Sequence, residues 1–257
     1  MTSTGIDNND AATRPVTVVT GGSRGIGAAT CLRLAADGHD LAVGYVRDAA
    51  AAEAVAKEVR AAGARCATVQ VDIAAEADVE RLFDTAEERL GPITGLVNNA
   101  GVTGSPGRLA DQDSADLRQV VEVNLLGTLL CSRRAARLMA GRGSGVIVNI
   151  SSGTATYGAP GELVHYAATK AAIDALTVGL SKELGPDGIR VNAVSPGVID
   201  TDMNSALGGT DRVRRLAEEI PLRRLGRAEE IAAAVSWLMS PDASYANGAV
   251  LRVAGGR

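Results

Sequence analysis

"VVTGGSRGIGAAT", residues 18–30, sets the architecture of the whole chain. A β-branched run ends at Thr20, glycines stand at Gly21, Gly22, Gly25 and Gly27, and residues of helical period follow. A buried strand that turns through glycines into a helix brings the first helical amides up to whatever sits at the turn. Glycine permits positive φ and close backbone approach, and a helix N-terminus favours a phosphate. The spacing Gly-x-x-x-Gly-x-Gly in this context reads as a dinucleotide site, with Gly21, Ser23, Arg24, Gly25, Ile26 and Gly27 as its contacts. No Gly-Lys-Ser/Thr ending closes the loop, which disfavours a nucleoside triphosphatase.

Outward from this loop, short apolar runs alternate with stretches of helical period. The predicted strands are "VTVVT" (16–20), "LAVGY" (41–45), "CATVQV" (66–71), "GLVNN" (95–99), "GVIVNIS" (145–151), "IRVNAVS" (189–195) and "AVLRV" (249–253). They are rich in Val and Ile with little polar alternation, as a sheet covered on both faces requires. Helices are predicted near 25–37, 49–62, 76–90, 113–140, 162–185 and 228–239, with a polar helix near 210–219. The pattern predicts an α/β, doubly wound Rossmann fold: a seven-stranded, mainly parallel sheet with helices on both faces. Residues 15–257 read as one domain, residues 1–14 as a disordered polar leader, and 203–222 as an insertion that covers the pocket, hinged at Gly208-Gly209.

Of 257 residues, 46% are hydrophobic but only 2% aromatic, so the core is aliphatic. A net charge of −4 gives no basic surface for nucleic acid, and the arginines at 212–215 and 223–227 are interleaved with acids, as on a solvated helix face. Cys31, Cys66 and Cys131 lie far apart without metal-ligand spacing, suiting reduced thiols in the cytoplasm. The first residues carry no apolar signal-peptide segment, and no run reaches membrane-spanning length. The expected setting is soluble and cytoplasmic, with no membrane, nucleic-acid or metal partner.

The end of the second strand chooses the cofactor in such folds, because an acid there binds the 2′-hydroxyl of NAD. Here it reads "VGYVRD" (43–48), with Tyr45 in the acid's place and Arg47 just beyond, while Arg24 stands in the glycine loop. Guanidinium groups suit a 2′-phosphate, so NADP is expected, with NAD left open by the nearby Asp48.

"HYAATK", residues 165–170, sets Tyr166 four positions before Lys170 in a chain with four tyrosines and three lysines. Chance would supply about 0.05 such pairs. On a helix the two side chains share a face, and a neighbouring positive charge lowers a phenol's pKa. That spacing suits a proton donor and acceptor.

"TGGSRGIG" (20–27), "NNAG" (98–101), "VNLLGT" (123–128), "NISS" (149–152), "YAATK" (166–170) and "PGVIDT" (196–201) follow one another in this order. From about Pro15 to Gly256 the chain resembles the short-chain dehydrogenases/reductases, closest in look to sugar- or glucose-dehydrogenase-like and 3-oxoacyl-reductase-like members. The resemblance implies an NAD(P)-dependent oxidoreductase that interconverts a ketone or aldose carbonyl and an alcohol. It implies a catalytic group of Asn124, Ser152, Tyr166 and Lys170. Tyr166 is the general acid and base, Ser152 bonds the substrate oxygen, Lys170 also binds the nicotinamide ribose, and Asn124 holds a water that links Lys170 to solvent.

Further cofactor contacts are expected at Asp72 with Ile73, Asn98, Ala100, Gly101, Pro196, Gly197, Ile199 and Thr201. Asp72 serves equally well as a helix N-cap, and Asn98 as a buried amide that ties strands. His165 points about 100° from Tyr166 on a helix, so it lines the pocket or caps the helix rather than acting as base; Tyr157 and Glu162 are pocket-wall candidates. The family habit of tetramers through the two long middle helices implies a homotetramer.

The resemblance is imperfect in places. Fourteen residues separate Ser152 from Tyr166, one more than in many relatives. Asp187 stands where carrier-protein reductases often have a basic residue. Ala254 replaces a usual aspartate, at a position expected to be remote from catalysis. A 3-oxoacyl thioester reductase is the alternative enzyme. A non-catalytic nucleotide sensor or scaffold is the alternative class, and it would be expected to lose Ser152, Tyr166 or Lys170.

Overall fold

In the computed structural model, which describes residues 14–205 and 216–257 and gives the backbone alone at 204–205, every residue of β1 (Val16–Val19) is buried. β1 pairs in parallel with β2 (Asp40–Tyr45) on one side and β4 (Ile93–Asn98) on the other. β3 (Cys66–Gln70), β5 (Gly145–Ile150), β6 (Ile189–Pro196) and β7 (Val250–Val253) complete a parallel sheet of order β3-β2-β1-β4-β5-β6-β7. All seven predicted strands form, and β4 starts two residues before its predicted beginning.

Successive strand residues face opposite sides, so one apolar run serves two cores. Val18, Leu96, Ile147 and Val191 pack with α3 (Glu76–Leu90) and the Cys131 side of α5 (Thr128–Ala140). Val19, Val97, Val148 and Val194 pack with α1 (Gly25–Ala36), α2 (Ala49–Ala61) and the last helix (Ala228–Met239). This double burial is why the strands lack polar alternation.

The helix predicted over 113–140 is divided. α4 (Ser114–Val121) passes through a π-helical turn (Glu122–Gly127) into α5. Asp113 caps α4 and Asp48 caps α2 by accepting backbone N–H bonds, each at 2.9 Å. A single turn, α6 (Thr154–Tyr157), precedes α7 (Val164–Leu184), and Ala228–Met239 is α8. Arg223, Arg224 and Arg227 are solvated as expected but lie in the turn before α8.

The leader (except Arg14), the Gly208-Gly209 hinge and most of the polar helix fall outside the described residues; residues 216–219 are helical. At the flanks of the insertion, Met203, Leu216 and Glu219 border the main cavity. Chain connections leave β1 and β4 in opposite directions, so the loops after these two strands open a crevice at the switch point of the sheet.

Candidate active site

The glycine loop is held on two sides of that crevice. Gly22 N donates to Gly44 O at 2.9 Å. The Thr20 hydroxyl accepts from Asn99 N at 3.0 Å and Ala100 N at 3.1 Å, and Asn99 Nδ2 donates to Thr20 O and Gly21 O, both at 2.9 Å. Gly21 has φ +63°, and a Cβ there would stand 2.9 Å from Ala100 Cα. At Gly27 a Cβ would come within 2.2 Å of Gly21 O. No side chain caps α1, so its first amides stay available at the loop. Side chains would fill this cradle, and the residues present fit a dinucleotide phosphate.

Ser23 and Ile26 are half-buried in the loop, Gly25 opens α1, and Arg24 is exposed at its cap position. Tyr45 is half-buried at the end of β2 and Arg47 exposed beyond it. Neither arginine forms an ion pair among the described residues, and Asp48 is committed to capping α2. Ala100 and Gly101 follow β4 beside the loop. Gly101, Pro196, Gly197, Ile199 and Thr201 line the same cavity, of about 520 Å³, as Ile26 and Asn99.

Three expectations need correction on this side. Asn98 does not face the crevice: its amide donates to Asn149 Oδ1 at 2.9 Å and Ser132 Oγ at 3.0 Å. It is the buried strand tie, and Asn99 is the residue that reaches the cavity. The Ile73 side chain is 3% exposed and packed on Gly127, where any Cβ would clash with it, so only its backbone could meet a ligand. Asp72 is not the N-cap of α3, which Ala75 occupies. Its carboxylate instead accepts from Ala74 N at 3.0 Å in an exposed Asx turn.

Ser152, Tyr166 and Lys170 meet on the wall of this one cavity, brought there by the end of β5 and the first turns of α7. Ser152 Oγ accepts from Thr154 Oγ1 at 3.0 Å and Thr154 N at 3.2 Å, which directs its own proton toward Tyr166. Lys170 is 5% exposed; its Nζ donates to Ile150 O at 2.8 Å and lies 5.7 Å from the Tyr166 ring centroid.

The electrostatics correct the expectation of a phenol lowered by Lys170. Burial dominates and pushes Tyr166 up to about 12, opposed by its hydrogen bond to Ser152. Burial also pulls Lys170 down to about 8, opposed by the Asp174 carboxylate one turn further along α7. The physical reason is desolvation: both groups lose water on one enclosed wall, and each loses stability in its charged form.

Asn124 is fully buried in the π-helical turn. Its Oδ1 accepts from Val102 N and its Nδ2 donates to Val102 O, both at 2.8 Å, with Thr169 Oγ1 at 3.2 Å. The side chain is therefore a strap between α4–α5 and the loop after β4: both of its amide N–H donors are committed, Oδ1 keeps a second acceptor site, and the backbone carbonyl accepts from Thr128 Oγ1.

His165 is buried with Nε2 3.0 Å from Thr103 O and lies off the cavity wall, contrary to the pocket-lining expectation. Tyr157 and Glu162 do line the cavity. So does Ala254, expected to be remote: it follows Val253 of β7, which pairs with Pro196 of β6, and so lies beside Gly197, where a Cβ would stand 2.8 Å from Ala254 Cα.

Sequence reading missed Asn99, Thr154 and Asp174, and with them Arg252 and Arg257 on the cavity wall. Asn99 and Thr154 stand beside recognised motifs and could have been found there. The two arginines carry no local signal, because only the return of the chain end to the crevice makes them neighbours of Ser152.

A parallel sheet in this order, a glycine cradle at its switch point and a serine–tyrosine–lysine wall beside it define a dinucleotide-binding α/β oxidoreductase. A family model described as Enoyl-(Acyl carrier protein) reductase matches residues 21–257, and the chain belongs to the short-chain dehydrogenase/reductase family. It is 42% identical to the uncharacterized oxidoreductase YgfF of Escherichia coli (strain K12), over 94% of this chain and 99% of the relative. Among solved structures, a blue fluorescent protein from a metagenomic library in complex with NADPH is 40% identical with a TM-score of 0.86, covering 94% of this chain and 97% of that one. A 3-ketoacyl-(acyl-carrier-protein) reductase from Brucella melitensis complexed with NADH is 32% identical with a TM-score of 0.88, covering 95% and 98%.

Proposed function

We propose that this oxidoreductase is an NADP-preferring enzyme that interconverts a small ketone or aldose carbonyl and the matching alcohol, with Tyr166 as general acid and base. The observation that carries the reading is the shared cavity of Ser152, Tyr166 and Lys170 with Ile26 of the glycine loop. A bound nicotinamide supplies the hydride in reduction and accepts it in oxidation. The Ser152 hydroxyl, turned outward by Thr154, donates to the substrate oxygen as negative charge develops there. The Tyr166 phenol delivers a proton to that oxygen in reduction and removes it in oxidation. Lys170 supplies positive charge behind the phenol and a donor for the cofactor ribose, and Asn124 would hold the water that links Lys170 to solvent.

Tyr166→Phe is expected to lower kcat by about 10²- to 10⁴-fold while leaving NADPH affinity, read by fluorescence titration, within about twofold. A rate close to wild type would refute the assignment.

Arg24 and Arg47, exposed and without an ion pair among the described residues, support the NADP preference; Gly21, Ser23, Gly25, Ile26, Gly27 and Tyr45 would surround the phosphates and adenosine ribose. The Asp72 carboxylate and Ile73 backbone would meet the adenine, and Ala100, Gly101, Pro196, Gly197, Ile199 and Thr201 the nicotinamide half. Loss of a charge-assisted phosphate contact costs about tenfold, so Arg47→Gln should reduce the NADPH-to-NADH ratio of kcat/KM by about that factor. A wild-type preference for NADH would sink the NADP reading.

A single catalytic domain over 15–257, a cytoplasmic setting suggested by three unpaired thiols, and a homotetramer complete the proposal. The Brucella relative keeps a second reading in view, reduction of a 3-oxoacyl thioester. Turnover of acetoacetyl thioesters well above that of alicyclic ketones and sugars would favour it.

A further inference from the structure

Arg252 and Arg257 bring positive charge to the cavity wall that the proposed proton and hydride chemistry does not use. The Arg257 guanidinium carbon lies 5.3 Å from the centroid of the Tyr157 ring, a cation–π contact. Its Nη2 is 3.3 Å from a Glu219 carboxylate oxygen, while its Nη1 is buried without a hydrogen-bond partner among the described residues. A guanidinium carries five N–H donors in one plane. Half-used at a cavity wall, it offers a fork matched to a carboxylate.

Arg252 lines the same cavity. Its Nη2 and the Tyr157 ring both lie 3.9 Å from the point where a Cβ on Gly153 would stand, next in the chain to Ser152. Arg252 makes no ion pair among the described residues. Among the described residues two carboxylates share the wall: Glu219 pairs with Arg257, and Glu162, like Arg252, is exposed. Lys170 is assigned to the phenol and the cofactor ribose: its Nζ donates to Ile150 O and lies 5.7 Å from the Tyr166 ring centroid.

We infer that this end of the cavity receives a carboxylate, and that the substrate is a keto acid or hydroxy acid whose reacting carbon lies at Tyr166 and whose carboxylate lies between Arg252 and Arg257. The inference rests on the oxidoreductase reading above and names the substrate class within it. Ala254 contributes by its size. A carboxylate at that position would set negative charge against the same wall.

The test compares 4-oxocyclohexanecarboxylate with its carboxamide as substrates for the full chain with NADPH. The acid is expected to have a kcat/KM about tenfold or more above the amide, carried by KM rather than kcat. Arg257→Gln and Arg252→Gln should each erase most of that ratio, and Arg257→Lys, which keeps the charge but not the planar fork, should keep only part of it. Equal values for acid and amide in the wild type, or a ratio untouched by both glutamine substitutions, overturns the inference.

Turnover of neither ketone would count against the small-ketone reading alone. The anion end is then read without turnover, by calorimetric titration of the NADP-loaded protein with cyclohexanecarboxylate and cyclohexanecarboxamide. Tighter binding of the acid, weakened in Arg257→Gln, supports the carboxylate site, and equal binding of the two overturns it.

Discussion

Lys170 holds its ammonium 2.8 Å from Ile150 O in a wall that keeps it almost wholly from water, and its pKa falls from 10.5 to about 8. An unfolded chain therefore binds this proton more tightly than the native one. Below about pH 8 both states carry it and burial of the charge costs stability in full. Between about 8 and 10.5 the native state releases it first, so the cost is relieved as pH rises. Thermal unfolding at pH 7.5 and 10 should show wild type gaining on Lys170→Met at the higher pH, and an unchanged difference would remove the burial account. The spacing of Tyr166 and Lys170 was legible because one turn of helix dictates it. The sign of the phenol's shift was not, since burial is a property of the assembled wall.

At the scale of elements, β4, β5 and α7 are joined by a line of buried polar side chains. Asn98 donates to Asn149, and Asn149 Nδ2 donates to Thr177 Oγ1 at 2.9 Å. Asn149→Ala would leave Asn98 and Thr177 each short of a partner in the interior. At about 1–3 kcal/mol per unsatisfied group, urea unfolding should show a loss of about 2–4 kcal/mol, and a loss under about 0.5 kcal/mol would mean that the line relaxes without cost.

Asn98 reads in sequence as either a ribose contact or a strand tie, and only the register of β4 against β5 selects the tie. The π-helical turn at Asn124 has the same origin. Nothing in "EVNLLG" marks it, and it arises where Gly127 must pass against Ile73 while Asn124 straps Val102. Strand and helix positions were legible because glycine turns and apolar runs are local signals.

Across the whole molecule, Val121, Leu126, Leu129 and Val178 are exposed on α4, the turn after it, α5 and α7, the middle helices expected to join subunits. Trp237, Tyr245 and Val250 form a second exposed apolar set near β7. Light scattering is expected to give a tetramer of the 26.2 kDa chain, and a Leu129→Arg, Val178→Arg double variant should give a smaller species because a charge buried at an interface is costly. A monomeric wild type would overturn the assembly.

The glycine loop, the seven strands and the spacing of Tyr166 and Lys170 were legible in the sequence itself, because each rests on short-range chemistry: permitted φ, apolar burial, or helical spacing; Ser152 came only through the order of motifs that resemble the family. What the tertiary structure alone decided is which of those residues face the crevice. It turned Asn98 and Ile73 inward and brought Asn99, Thr154, Arg252, Ala254 and Arg257 to the cavity. These are contacts between segments distant in the chain, set by strand order and by the return of the chain after β7, and no local pattern encodes them.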